Sequence, residues 1–336
     1  MTNKKFFLIC ILGIFLFTIL NFLIFNIFQK NFTGDLGRMG KICFPKEYSK
    51  IYNLTYDENF IYTSSKNIEE ADIVTIGDSF SQQSKGYQYF LSKNKNILNI
   101  KRYKNFEPEQ TAIILLNSGY FEKVKPKYII LESIERAFIQ RNINLDFNLT
   151  FSQKEILRFY EKRKIAKENN PKFINIGNFK FLLNSILYKF DDNAYISPVY
   201  IADIDKELFS YSNKKLYFYE EDLKNMKYTT DANLKLVNKN LNLLYKKFQE
   251  KGIELIILVP PNKYTLYYEF IKNKKYPASN FFETFLTYNK KYIFINSKEI
   301  LLKELRNGEK DIYLLNDTHW GIKASKSISN EIIKTF

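Results

Sequence analysis

Ser79, Asp317 and His319 are the residues whose types and spacing suit acyl-transfer chemistry. His319 is the sole histidine of the 336-residue chain and lies in Asn316-Asp317-Thr318-His319-Trp320-Gly321, beside the sole tryptophan. Imidazole titrates nearest neutrality among side chains, so this residue is the natural proton shuttle. A carboxylate two positions earlier can meet the imidazole in an extended segment, fix its tautomer and stabilise the imidazolium. Far upstream, Gly77-Asp78-Ser79-Phe80-Ser81 follows an apolar run. A serine hydroxyl between a strand's end and a helix's start faces backbone N–H groups that can hold an oxyanion. The alternatives are a loop serine and a packed or hydrogen-bonded structural histidine. A metal centre is not expected: no second histidine exists, and neither Cys10 nor Cys43 has ligand spacing.

The elements that must position these groups read as α/β. Ile73–Ile76, Ile97–Ile100, Tyr128–Leu131, Ile253–Val259 and Tyr292–Ile295 are short apolar runs consistent with buried strands. Pro108 opens a helix carrying Ile113, Leu116 and Tyr120, expected to run until Pro126. Leu234, Val237, Leu241, Leu244, Tyr245 and Phe248 recur at helical spacing, and Gly252 closes that helix. A last helix places Ala324, Ile328 and Ile332 inward. Strand–helix–strand order predicts a mostly parallel sheet between helices, in three layers. Residues 137–228 lack this alternation and read as an insertion over the core, with a hairpin expected from Phe209 to Tyr219 around Ser212-Asn213-Lys214.

The N-terminus divides into a cytoplasmic tip (1–5), a transmembrane anchor (6–28) and a juxtamembrane lead-in (29–70), ahead of a catalytic domain over 71–336. Phe6 to Phe28 carries no charge. At about 1.5 Å per residue it spans a hydrocarbon core of about 30 Å. No small-residue cleavage pattern ends it, so an uncleaved anchor is expected. Lys4 and Lys5 favour a cytoplasmic N-terminus, although Lys30, Arg38, Lys41 and Lys46 nearly balance them. The formal charge of +15 is spread along the chain without a basic stripe, which argues against nucleic acid as partner. With no phosphate-cradling loop, no nucleotide or coenzyme A cofactor is expected.

Gly77-Asp78-Ser79 near the front of the domain and Asp317-Thr318-His319-Trp320 near its end together resemble the SGNH (GDSL-like) hydrolase superfamily. More narrowly they resemble its AlgX/AlgJ-type polysaccharide O-acetyltransferases, as do Lys125-Pro126-Lys127-Tyr128-Ile129-Ile130-Leu131-Glu132, Glu135-Arg136 and Val259-Pro260-Pro261-Asn262-Lys263. The resemblance implies Ser79 as nucleophile, His319 as base then acid and Asp317 as its orienter. It also implies an envelope polysaccharide or peptidoglycan as acceptor, and a membrane-bound acyltransferase of the MBOAT type supplying acetyl. The site would then face the periplasm or cell exterior from the cytoplasmic membrane. A carbohydrate O-acetylesterase and a non-catalytic glycan-binding or scaffold protein are the competing readings. Three departures stand out. In the alginate proteins the Asp-x-His-Trp segment precedes the serine segment, whereas here it follows. Ordinary members carry Asp-x-x-His rather than Asp-x-His. They also place an oxyanion Gly and Asn after the second and third strands, where this chain has Lys101–Asn105 and Glu132-Ser133. Ser79's own N–H, with Asn105 or Arg136, is the expected substitute.

Overall fold

The computed structural model describes residues 2–28, 34–44, 71–83, 85–161, 178–211 and 214–336. Most of the lead-in and the Ser212-Asn213 turn lie outside the described residues.

Parallel strands β1 (Ile73–Ile76), β2 (Ile97–Ile100), β3 (Tyr128–Glu132), β6 (Glu254–Leu258) and β7 (Ile293–Ile295) form one sheet in the order β2-β1-β3-β6-β7. Successive side chains of a strand point to opposite faces, and here the alternation divides two cores. Val74, Ile129, Leu131, Leu255 and Ile257 meet Ile113 of Pro108–Asn117 and Leu241 and Leu244 of Asp231–Gln249. Ile73, Ile130, Ile256 and Leu258 meet Leu301 of Ser297–Arg306 and Ile328 of Ile322–Ile333. The fold is therefore α/β, a parallel sheet between helical layers, with an apolar N-terminal helix α1 (Asn3–Phe28). Leu241 is fully buried, so Leu241→Ala removes packing worth about 2–5 kcal/mol.

Two local expectations change. The helix opened by Pro108 stops at Asn117, and Tyr120–Val124 forms a separate short helix after Gly119, whose φ is +73°. The hairpin also has a different first arm: β5 (Lys215–Tyr219) pairs with β4 (Val199–Asp203), and Phe209 lies in the intervening loop. Phe209 stacks on Tyr267 at 5.3 Å, and the Leu208 carbonyl accepts from Asp311 N at 3.0 Å. Burial against the core, rather than strand pairing, uses that stretch's apolar side chains.

All five sheet strands run the same way, so their carboxyl ends share one edge, the usual place for an open α/β sheet's site. The Gly77-Asp78-Ser79 turn follows β1 there, and Pro260-Pro261-Asn262-Lys263 follows β6.

Candidate active site

Beyond β1 the chain turns into a 3-10 segment, Ser79–Gln82, capped by the Asp78 carboxylate, which accepts from Phe80 N at 3.1 Å. Glu132, ending the neighbouring β3, lies beneath the turn. Its Oε2 accepts from Asp78 N (3.0 Å), Ser81 N (3.1 Å) and Ser81 Oγ (2.9 Å). A Cβ on Gly77 would overlap both Ser81 Oγ and that Glu132 oxygen, which is why the position before Asp78 lacks a side chain. Asn99 of β2 and Gln88 close the turn from the other side by donating to the Ser81 carbonyl at 2.7 and 3.1 Å.

One cation balances this acidic cradle. Arg141 bonds Asp78 Oδ2 and Ser133 Oγ, both at 2.7 Å. Burial works against an ionised Asp78, but Arg141 prevails and holds it below its ordinary value. Burial and the Asp78 charge together push Glu132 well above the usual carboxylate range. Arg141 thus favours the charged form of Asp78, while burial and Asp78 disfavour that of Glu132 under the serine turn.

Opposite this turn, His319 and Asp317 sit on a bent loop rather than in an extended segment. Tyr313 and Trp320 form an antiparallel bridge across it, with Leu314 N donating to the His319 carbonyl at 3.0 Å. The bend itself turns the Asp317 carboxylate onto the ring: Oδ1 accepts from His319 N at 3.1 Å and from Nδ1 at 2.5 Å. Nε2 faces the serine turn, and Ser79 Oγ lies 2.6 Å from it, across 240 positions of sequence. Phe80 packs against the imidazole at 4.7 Å and edge-on against Trp320 at 5.0 Å, locking the ring's plane. Ser79 itself is exposed.

Two further residues hold this loop. Lys263 is fully buried and donates to the carbonyls of Leu314 (2.6 Å), Leu315 (2.9 Å) and Asp317 (3.1 Å). Three accepting carbonyls call for the three N–H bonds of an ammonium. Burial draws Lys263 down to about 7, opposed by Asp317 and Asp35. Asp35 is the residue that sequence reasoning missed. It begins α2 (Asp35–Gly40), in the segment read as a lead-in. Asp35 Oδ1 accepts from Thr318 N at 2.8 Å and Oδ2 from Thr318 Oγ1 at 2.5 Å, while Asp35 N donates to Asp317 Oδ2 at 3.0 Å. Its Oδ2 also lies 3.8 Å from His319 Nδ1. Gly34, at φ +80°, permits the contact, since a Cβ there would overlap the Asn316 carbonyl. That glycine and acid before a short helix were the available signal, but nothing local tied them to a loop 282 positions away.

The electrostatics of the loop draw the His319 pKa upward. Burial lowers the His319 pKa, but the Asp317 and Asp35 carboxylates more than offset it, and the net shift is upward. Burial and Asp317 raise Asp35 in turn. Asp35, Asp317 and His319 each place one ligand-type atom within 4.8 Å of the others, and the bonds to Thr318, Asp317 and Ser79 already engage these groups.

The two residues considered for the oxyanion fall apart. Asn105 is exposed in the turn after β2, at the sheet edge that also carries Ser79. Arg136 is largely buried, held by Asp222 at 3.4 Å and Glu221 at 3.9 Å over the Tyr219 ring, and it reaches His319 through its charge. Among the described residues neither bonds Ser79.

Residues 213–332 match the family model described as SGNH hydrolase-like domain, acetyltransferase AlgX. That match supports the AlgX-like SGNH group. It contains Asp317 and His319, whereas Ser79 lies outside it. An AlgX-type domain points to acetyltransferase-like chemistry on polysaccharide. No curated protein and no solved structure matches the chain.

Proposed function

We propose that this chain is a membrane-anchored O-acetyltransferase that moves acetyl through Ser79 onto hydroxyls of a cell-envelope polysaccharide or peptidoglycan. The observation carrying the reading is the 2.6 Å approach of Ser79 Oγ to His319 Nε2, with Asp317 at Nδ1. Nε2 takes the hydroxyl proton as Oγ attacks the carbonyl of an acetyl donor. The imidazolium forms with two carboxylates on its Nδ1 side, which lowers its energy in the transition state. Collapse of the tetrahedral intermediate expels the donor's leaving group with that proton and leaves acetyl-Ser79. A sugar hydroxyl then gives its proton to Nε2 and attacks the acetyl carbonyl, and the imidazolium returns that proton to Ser79 Oγ as it departs, leaving the new ester and a free Ser79 hydroxyl. The Ser79 N–H serves the oxyanion, and the open position of Ser79 suits a polymeric acceptor. The α1 anchor keeps the domain at the outer face of the cytoplasmic membrane, where an MBOAT-type acyltransferase supplies acetyl.

Incubating the full chain in detergent with an activated acetyl ester and glycan fragments tests this. Acetylated sugar, abolished in Ser79→Ala and His319→Ala, is the expected product. Free acetate alone would make the protein an esterase, and undiminished activity in both variants would leave it a glycan-binding or scaffold protein.

A further inference from the structure

The helix Phe179–Leu187 lies against α1. The Phe17 and Phe179 rings stack at 5.6 Å, and Asn178 Nδ2 donates to Asn21 Oδ1 at 3.1 Å, both asparagines being buried. On its domain side, Phe181 is buried beneath Lys41 Nζ at 5.5 Å, and Asn184 Nδ2 donates to the Gly40 carbonyl at 2.8 Å. The remaining face is apolar and uncovered: Leu182 is 40% exposed, Leu183 50% and Ile186 55%, followed by Phe190 at 74% and Ile196 at 79%. Large apolar side chains exposed together in this way mark a surface made for an apolar partner. The partner's chemistry follows from continuity. This face adjoins α1, whose own exposed Leu16, Leu20 and Leu23 read as lipid-facing, and Asn21 and Phe17 at the contact fall inside the apolar span. Lys180 lies on this helix and Lys41 covers Phe181 on its domain side, with Lys180 and Arg38 near enough to Lys41 to depress its pKa beyond the larger effect of burial. An apolar helical face with cations along its other side is the pattern of a helix lying in a bilayer interface with anionic headgroups.

We propose that Phe179–Leu187 is a second membrane-contacting element, with Leu182, Leu183 and Ile186 in the hydrocarbon of the leaflet on the domain's side, beside α1. This rests on the reading of α1 as an anchor. The consequence reaches the active site. The helix is bonded to Gly40 at the end of α2, and Asp35 at the start of α2 is bonded to Thr318 beside His319. Bilayer, α2 and catalytic base are therefore linked by consecutive contacts, and a domain held on the membrane in this way keeps α2 seated in the site.

Spin labels on the full chain, in a Cys10→Ser, Cys43→Ser background, test the proposal in vesicles of phosphatidylcholine and phosphatidylglycerol. Labels are placed singly by Leu183→Cys, Ile186→Cys, Leu12→Cys in α1 and Lys239→Cys on the exposed face of the helix Asp231–Gln249. At positions 183 and 186, accessibility to oxygen relative to a nickel chelate should exceed that at 239 several-fold and approach that at 12. Labels at 183 and 186 that behave like 239, while 12 stays in lipid, would overturn the second contact and leave the anchor. A water-exposed label at 12 would overturn both. Protection at 183 and 186 from both reagents, with a broadened spectrum, would mean a protein covers this face and would equally overturn the lipid assignment.

Discussion

Asp35→Asn is the substitution that separates this site from a three-residue triad. The change keeps the side chain's shape: the amide oxygen can still accept from Thr318 N, and the amide NH₂ can donate to Thr318 Oγ1. What it removes is a charge 3.8 Å from His319 Nδ1. At that separation two unit charges attract by about 1 kcal/mol in water and by about 4 kcal/mol at an effective dielectric of about 20. The two side chains are 13% and 20% exposed, so the site lies between those limits. A working value of about 2 kcal/mol predicts a loss of roughly 30-fold in kcat/KM. Both Asp35 oxygens accept hydrogen bonds from Thr318, as an ionised carboxylate does. Losing an orienting carboxylate costs a serine protease about 10⁴-fold. With Asp35 beside Nδ1, Asp317→Asn should cost less, about 10²- to 10³-fold, and Asp35→Asn should cost more in that background than alone. The assay is hydrolysis of an activated acetyl ester by the full chain across pH. Neutral His319 is the working base, and Asp35 helps raise its pKa. Removing Asp35 should therefore move the acid limb of the profile to lower pH while the plateau falls. A profile within twofold of wild type at every pH, with no added loss in the Asp317→Asn background, would refute the role of the second carboxylate.

Three other outcomes follow from the surrounding groups. Gly77→Ala should destabilise the chain and remove most activity, measured by thermal unfolding and ester hydrolysis, because its methyl group collides with Ser81 and Glu132 beneath the nucleophile. Arg141→Met strands a buried Asp78 carboxylate beside Glu132 and should cost about 3–5 kcal/mol in denaturant unfolding; an unchanged midpoint would mean that Arg141 does not balance the cradle. Glu135 is buried, which lifts it from 4.5 to about 7 against the bonds from Ser279, Asn262 and Thr265. Between those values the folded chain holds a proton that the unfolded chain has released, so this stability is full below about 4.5 and is lost as pH rises through about 7. Glu135→Gln should match wild type near pH 4 and exceed it above pH 8 by up to about 3 kcal/mol; equal stability at both would contradict the burial argument.

Much of this molecule was legible in its sequence because the signals were local. Short apolar runs became the parallel strands, and the three- and four-residue recurrence from Leu234 to Phe248 became a core helix. Local reading failed where two local rules competed. Gly119 divided a helix that the apolar spacing carried through, and Phe209 went to Tyr267 instead of into a hairpin arm. The Asp317–His319 contact was expected from strand alternation, yet a bent loop makes it.

Residue types and order alone determined the available chemistry: one imidazole, a carboxylate two positions before it, and a serine after a buried strand. They also determined that α1 is long and apolar enough to cross a membrane. The tertiary structure decided that Nε2 faces Ser79, that Glu132 cradles the serine turn, that Lys263 gathers the loop's carbonyls and that Asp35 joins the base. These are contacts between residues dozens to hundreds of positions apart. Hydrophobic periodicity specifies which face of an element is buried, but not which polar side chain waits on the other side of the sheet edge. Only the closing of that edge gives His319 its second carboxylate.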